Sequence, residues 1–136
     1  MSQTILVIDD DWVFLQKLDA TLTETGYRVF KATNAKAGMA LLRKLGDQID
    51  LVIADLVLPD SSGQQIIAEV SRASSHIKII AITGILSEEQ LTIMKYIGAD
   101  AVLRKPKAGA PFASEWLQTV AALLSEERAQ GSTQNP

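Results

Sequence analysis

The sequence predicts an α/β fold, with a single five-stranded parallel sheet and helices on both of its faces. Three observations predict this fold. Five short apolar runs alternate with amphipathic stretches, several runs are nearly continuous in Ile, Leu, Val and Ala, and the amphipathic stretches have helical spacing. Continuous apolar runs are typical of strands buried on both faces, as in the middle of a parallel sheet. The runs occupy residues 5–8, 27–32, 51–54, 77–82 and 101–103.

The stretches between the runs predict helices. In the first stretch, Phe14, Leu18 and Leu22 recur every fourth residue, and Gly26 follows as a stop signal. The tetrapeptide SEEQ at residues 87–90 is a capping box that predicts the start of the fourth helix. Apolar stripes mark the second, third and fifth helices at Leu41 and Leu45, at Ile66, Ile67 and Val70, and at Trp116, Val120 and Leu124.

The alternation of strand and helix also predicts the strand order. Right-handed crossovers place helices on both faces of a parallel sheet, and the flavodoxin-like order 2-1-3-4-5 suits a (βα)5 chain. In that order the first and third strands are neighbours and the chain changes direction between them. Ligands of open α/β sheets bind outside the carboxyl ends of the strands at such a point. We therefore expect the functional site at that edge.

Length and composition indicate one domain with no strongly charged surface. The 136 residues predict a domain over residues 1–127 and a disordered polar tail or truncated linker over residues 128–136. A net charge of −3 with scattered Lys and Arg provides no basic surface for nucleic acid. No apolar run approaches the roughly 20 residues that span a bilayer. The absence of cysteine excludes disulfides and thiolate chemistry, and we expect a cytoplasmic protein.

Polar residues follow the apolar runs at their carboxyl ends. Asp9 and Asp10 come after the first run, Asp55 after the third, Thr83 after the fourth and Lys105 after the fifth. Neighbouring carboxylates repel one another unless a cation or a proton neutralises them. Magnesium binds through one or two carboxylates and accepts phosphate oxygens, and an aspartate can form an aspartyl phosphate. The pattern therefore indicates phosphoryl-transfer chemistry.

This arrangement resembles the receiver domains of two-component response regulators. The resemblance extends from about residue 4 to about residue 124. It rests on motifs that occur in the same order as in that family. They are ILVIDD at 5–10, DLVIAD at 50–55, LPD at 58–60 with Gly63, AITG at 81–84, GAD at 98–100 and Lys105-Pro106.

The resemblance implies a magnesium site beside a phosphoacceptor. Asp55 would accept the phosphoryl group and would also be a metal ligand. Asp10 would bind Mg²⁺ directly, and Asp9 would act mostly through water. The backbone carbonyl of Val57 would be a further ligand.

The resemblance also implies residues that bind the phosphoryl group itself. Thr83 would donate a hydrogen bond to it, and Lys105 would form an ion pair with it. The Lys105-Pro106 peptide bond would be cis, directing the lysine inward.

The resemblance further implies a signalling function. A sensor histidine kinase or a His-phosphotransfer protein would donate the phosphoryl group in a phosphorelay, which would switch a protein-interaction surface. The domain would catalyse only its own phosphorylation and dephosphorylation. The sequence does not specify the downstream protein, it allows a homodimer, and we expect no contact of this domain with nucleic acid or membrane.

Two features depart from the family pattern. The family usually has an aromatic residue in the fifth strand, whose position is occupied here by Val102, a short and stiff side chain. Residues 107–112 form a longer, flexible connection to the last helix than is usual. In addition, the resemblance implies two positions that flank the path of water toward the phosphoryl group, and this chain has the apolar Val57 and Ile85 there.

Three alternative functions remain. A degenerate receiver would act as a phosphorylation-independent interaction module. A haloacid-dehalogenase-like phosphatase would need an acid two residues after its nucleophile, where this chain has Val57. A flavodoxin-like cofactor carrier would need a phosphate loop after the first strand, where the carboxylates of residues 9–11 would repel a phosphate.

Several residues near the site have a structural interpretation. We interpret Asp11 as the cap of the first helix and Asp60 as a turn residue. His76 is expected at the surface, and Trp12 and Trp116 are expected to be packing or surface aromatics rather than ligand contacts.

Overall fold

A computed structural model describes residues 2–74, 76–84, 87–96, 98–107, 110–112 and 114–133. Within them, five parallel strands alternate with five α-helices in one sheet of order β2-β1-β3-β4-β5, which confirms the predicted fold. The strands are β1 (Thr4–Ile8), β2 (Arg28–Ala32), β3 (Leu51–Asp55), β4 (Lys78–Thr83) and β5 (Ala101–Arg104). The helices are α1 (Trp12–Glu24), α2 (Ala35–Leu45), α3 (Gly63–Ala73), α4 (Glu88–Tyr96) and α5 (Ser114–Thr133), with a 3-10 turn at Gly46–Gln48.

The last helix is longer than the sequence predicts. The apolar stripe ends at Leu124, and we expected a disordered tail from residue 128, but α5 continues to Thr133. The residues that prolong it include Glu, Arg, Ala and Gln, which have high helix propensity. The predicted boundary at residue 127 therefore falls inside α5, and residues 134–136 lie outside the described part of the chain.

The central strands β1 and β3 form the middle of the core. Ile5 of β1 pairs with Val29 of β2 on one side and with Leu51 of β3 on the other. Every residue of β1 and β3 is buried, as their continuous apolar sequences predict. This pairing aligns the carboxyl ends of the two strands at one edge of the sheet.

Helices cover both faces of the sheet. On one face, α1 and α5 pack against residues such as Ile5, Ile53 and Ile82, and their buried side chains form one apolar cluster with them. On the other face, α2 and α3 pack against residues such as Leu6 and Val52 in a second cluster. The sheet thus lies between two apolar cores, one on each of its faces.

A polar N-cap begins the first helix and a glycine follows its end, as predicted. The Asp11 side chain accepts a hydrogen bond from the Phe14 N–H at 3.1 Å, which confirms its role as the N-cap of α1. Gly26 has a φ of +105°, in the region that favours glycine, and follows the C-cap Thr25.

Among the helices of the described residues, none is long and apolar enough to cross a membrane.

The start of α3 lies unusually close to the end of β3. A Cβ atom at Gly63 would come within 2.5 Å of the Leu56 Cα and 3.1 Å of the Asp55 carbonyl oxygen. Both of these atoms are backbone, so they cannot move aside as a flexible side chain would. The Gly63 N–H donates to the Leu56 carbonyl at 3.0 Å, which closes the loop after Asp55. Glycine is therefore required here for close packing.

We predict that Gly63→Ala lowers the free energy of unfolding by about 1–3 kcal/mol, because the added methyl group forces the loop away from β3. Urea unfolding followed by circular dichroism measures this change. The matched control is Gly84→Ala, since a Cβ atom at Gly84 would meet no heavy atom of the described residues within 4 Å. Equal stabilities of the two variants would contradict the packing requirement at Gly63.

Candidate functional site

The carboxyl ends of four strands bring the predicted site residues to one edge of the sheet. Asp9 directly follows β1, Asp55 ends β3 and Thr83 ends β4, and all three are buried. Lys105 directly follows β5, and its N–H donates to the Thr83 carbonyl at 2.7 Å. Ala54 pairs with Ile8, so the aspartates that follow these two residues are neighbours across the β1–β3 pair.

The ammonium group of Lys105 lies between two buried carboxylates. Its Nζ donates to Asp9 Oδ1 at 3.0 Å and to Asp55 Oδ2 at 2.9 Å. The Lys105 side chain is 19% exposed, whereas that of Asp9 is fully buried. Burial alone would lower the pKa of Lys105, but its hydrogen bonds to Asp9 and Asp55 raise the pKa above its ordinary value. The lysine is thus a fixed positive charge.

Asp9 is the least solvated carboxylate of the site. Burial raises its pKa from 3.8 to about 6, the hydrogen bond from Lys105 acts in the opposite direction, and the charge of Asp55 adds to the increase. Asp9 Oδ1 also accepts from the Asp11 N–H at 2.8 Å. Asp9 Oδ2 lies 2.7 Å from Lys105 Nζ, but no donor of the described residues is directed at it, so that contact is ionic.

The loop after β3 orients Asp55. The Val57 N–H donates to Asp55 Oδ1 at 2.9 Å, which leaves Oδ2 for the contact with Lys105. Val57 also forms an antiparallel bridge with Ser62 across the loop. The Val57 side chain is apolar and 76% exposed, so it lies at the entrance to the site rather than in the core.

The acidic residues fit a hard divalent cation. Asp9, Asp10 and Asp55 each have a carboxylate oxygen, and these oxygens lie within 4.8 Å of one another. The cluster has three carboxylates, of which Lys105 contacts Asp9 and Asp55, and Asp9 Oδ2 is buried with no directed donor among the described residues. Mg²⁺ and Ca²⁺ both prefer oxygen ligands, and the exposed Asp10 leaves one side of the cluster open for water or phosphate ligands.

The expected cis peptide before Pro106 is wrong. No peptide bond between described residues is cis, and the Lys105-Pro106 bond is trans. Lys105 points inward because its ammonium is drawn to Asp9 and Asp55 and its N–H is bound to Thr83. A family peptide geometry is therefore not needed to direct this side chain.

An aromatic cluster next to the lysine was not predicted. Lys105 Nζ lies 5.0 Å from the centre of the Phe14 ring, within the range of a cation–π interaction. Phe14 packs against Phe112 and Trp116, with ring centres 5.7 and 6.0 Å away. The Trp116 indole N–H donates to the Arg104 carbonyl at 3.0 Å. Phe112, expected within a flexible connection, is thus part of a packed cluster.

Asp60 is more than a turn residue. Its carboxylate accepts hydrogen bonds from the Ala35 N–H at 2.8 Å and the Lys36 N–H at 3.0 Å, both in the first turn of α2. These two hydrogen bonds lower the pKa of Asp60 below its ordinary value. Sequence reasoning missed this contact because the residues are far apart in the chain and no local pattern links them.

The remaining predicted residues occupy ordinary positions. Val102 is partly buried against the α2–α3 cluster. His76 is at the surface with its side chain 35% exposed, and its Nε2 lies 3.1 Å from the Ile49 carbonyl oxygen. Trp12 is 53% exposed and Trp116 is buried, as expected of surface and packing aromatics. Ile85 lies outside the described residues.

Comparisons with known proteins agree with this arrangement. The family model of the response regulator receiver domain matches residues 5–113. The transcriptional regulatory protein AruR of Pseudomonas aeruginosa is 38% identical over 109 residues, which cover 78% of this chain and 44% of AruR. The chain therefore spans less than half of the length of that relative.

Solved structures of receiver domains have the same fold. A CheY-like receiver domain protein from Methanospirillum hungatei superposes with a TM-score of 0.85 at 27% identity, covering 96% of this chain and 99% of that one. A response regulator from Burkholderia pseudomallei, with a phosphorylated aspartic acid, a calcium ion and citrate, has a TM-score of 0.74 at 30% identity. The match covers 99% of this chain and 76% of that one. By sequence and by fold, this chain belongs to the response regulator receiver domain family of two-component systems.

Proposed function

We propose that this receiver domain accepts a phosphoryl group on Asp55 in a Mg²⁺-dependent reaction and thereby switches a protein-interaction surface. The observation that carries the proposal is the position of Asp55. Its Oδ2 lies 2.9 Å from the Lys105 ammonium, and its carboxylate shares one cluster with Asp9 and Asp10. A nucleophile, a fixed cation and an open acidic cluster are the components that aspartyl phosphorylation requires.

The chain's own residues have distinct roles in this transfer. An Asp55 carboxylate oxygen attacks phosphorus, the O–P bond forms, and the N–P bond to the donor histidine breaks. Lys105 exchanges part of its contact with Asp55 for an ion pair with the phosphoryl oxygens. The hydroxyl of Thr83, at the end of the adjacent strand β4, donates a hydrogen bond to the same group.

Asp9, Asp10, Asp55 and the Val57 carbonyl would hold Mg²⁺. When bound, the ion neutralises negative charge on the carboxylates and on the incoming phosphoryl group. The Burkholderia pseudomallei neighbour, whose structure has a phosphorylated aspartic acid and a calcium ion, supports both parts of the proposal.

In this proposal the receiver acts in the cytoplasm, and its phosphodonor is a sensor histidine kinase or a His-phosphotransfer protein. The receiver domain signals rather than carries out metabolic catalysis, and its only reactions are its own phosphorylation and dephosphorylation. Downstream, phosphorylation changes contacts with a protein partner or a second copy of the chain. The transcriptional regulators among the relatives are more than twice as long as the matched segment, so their output activity is not carried over.

We predict that acetyl phosphate and Mg²⁺ add one phosphoryl group to the wild-type protein, and that Asp55→Asn abolishes the addition because it removes the nucleophile. Intact-mass spectrometry with and without a chelator measures the product. The control is Asp47→Asn, whose side chain is 96% exposed at the opposite edge of the sheet and which should be labelled like wild type.

Labelling that persists in Asp55→Asn would exclude Asp55 as the acceptor. A wild-type protein that gains no base-labile phosphate with Mg²⁺ present would favour the degenerate receiver, a phosphorylation-independent interaction module.

We predict that Val57→Asn speeds loss of the phosphoryl group several-fold, because an amide at the entrance can orient the attacking water and valine cannot. The decay of the phosphorylated mass after removal of acetyl phosphate gives the rate. Val13→Asn is the matched control, since Val13 is an exposed valine outside the Asp55 loop. An unchanged or slower decay in Val57→Asn would contradict this role of the position.

We predict that Asp9→Asn stabilises the metal-free protein at neutral pH. The pKa of Asp9 in the folded protein is about 6, above its ordinary value of 3.8. The folded state therefore favours the protonated carboxyl. The stability that this preference contributes is fully present below pH 3.8 and is lost as the pH rises to about 6. The gain should be about 3 kcal/mol near pH 7.5 and small near pH 4. Urea unfolding in chelator at both pH values measures it.

Added Mg²⁺ should reduce the advantage of Asp9→Asn over wild type, because the cation stabilises the ionised carboxylate. An Asp9→Asn gain that is equal at both pH values would contradict the electrostatic cause.

A further inference from the structure

Asp60 joins the loop that follows Asp55 to a different helix. The loop residue Asp60 is exposed, yet its two carboxylate oxygens accept hydrogen bonds from the Ala35 and Lys36 N–H groups of α2. Ala35 and Lys36 follow β2, the strand whose Ala32 carbonyl accepts from the Asp9 N–H at 3.0 Å. Asp60 thus ties the loop of the acceptor to the segment beside Asp9.

The α2 N-terminus has its own cap without Asp60. The Asn34 side chain accepts from the Ala37 N–H at 2.8 Å, and the Asn34 carbonyl accepts from the Gly38 N–H. Asn34 does not bind the first two N–H groups of α2, and both of them donate to Asp60 instead. The first turn of α2 contains no acidic residue, so Asp60 also supplies the negative charge that a helix N-terminus favours.

The same loop carries the groups next to the acceptor. Val57 lies three residues before Asp60, and its N–H orients Asp55 through Oδ1. Leu58 is buried in the α2–α3 cluster and anchors the middle of the loop. The bridge between Val57 and Ser62 closes the loop on itself. Asp60 and Leu58 are therefore the contacts that fix the loop tip against α2.

We infer that Asp60 is a positioning residue for the acceptor site, which holds the loop so that Val57 and Asp55 present their oxygens to Mg²⁺. This inference rests on the proposed function for its metal and on the hydrogen bonds above for its geometry. Residues outside a metal's ligand set that orient the ligands typically change metal affinity about 10–100-fold when removed.

The test compares Asp60→Ala with two matched variants. Asn34→Ala removes the other side-chain cap of the same helix and controls for the stability of α2. Ser61→Ala changes the neighbouring loop residue, whose hydroxyl contacts Gln65 within α3, and controls for a local change in the loop. Thermal unfolding of all the variants compares their stabilities.

Two readouts separate positioning from capping. Calorimetric titration with Mg²⁺ alone should show about tenfold weaker binding for Asp60→Ala and nearly unchanged binding for Asn34→Ala and Ser61→Ala. Amide hydrogen exchange in chelator should be faster at Val57 in Asp60→Ala, and not in the two controls. Asp60→Asn keeps one acceptor oxygen and should show smaller changes in the same direction.

Equal weakening of Mg²⁺ binding in Asn34→Ala would overturn the inference, because the effect would then be the stability of α2. Unchanged exchange at Val57 in Asp60→Ala would also overturn it, since Asp60 would then only cap the helix. A wild-type protein that binds no Mg²⁺ would refute the proposed function instead. Even then, the exchange at Val57, measured without metal, tests whether Asp60 holds the loop in place.

Discussion

A single ammonium group shared by two buried carboxylates is the constraint on which the rest of this structure depends. Burying charges is costly unless they are paired, and removing one partner leaves an uncompensated charge. Lys105 lies 2.7 Å from Asp9 and 2.9 Å from Asp55. It offsets only part of their negative charge, and burial together with the charge of Asp55 keeps the pKa of Asp9 raised. The folded domain therefore keeps uncompensated negative charge at the acceptor site.

The elements around this point act mainly as rigid supports. The fully buried strands β1 and β3 fix the separation of Asp9 and Asp55, and the parallel register aligns their ends. On the lysine side, Phe14 and the ring cluster beneath it limit where the ammonium can lie. A densely packed core has low compressibility, so these supports resist small displacements of the charged side chains.

The sequence predicts most of this fold because its signals are local. Apolar runs and helical spacing are periodic within short windows, and the strand order follows from general rules of parallel sheets. The contacts that could not be predicted join distant segments: Asp60 with the first turn of α2, and Phe112 with Phe14. The expected cis bond at Lys105-Pro106 was inferred from the family alone, and this chain's ion pairs direct the lysine without it.

The topology has a consequence for how the chain folds. No two neighbouring strands are joined by a hairpin, since Ile5 pairs with Val29 and with Leu51 across intervening helices. Sheet hydrogen bonds therefore form only after long loops close, which slows folding relative to helical bundles of similar size. Asp9 and Asp55 first approach each other when β1 and β3 pair. Their mutual repulsion thus opposes that assembly step until Lys105, which follows β5, contributes its counter-charge.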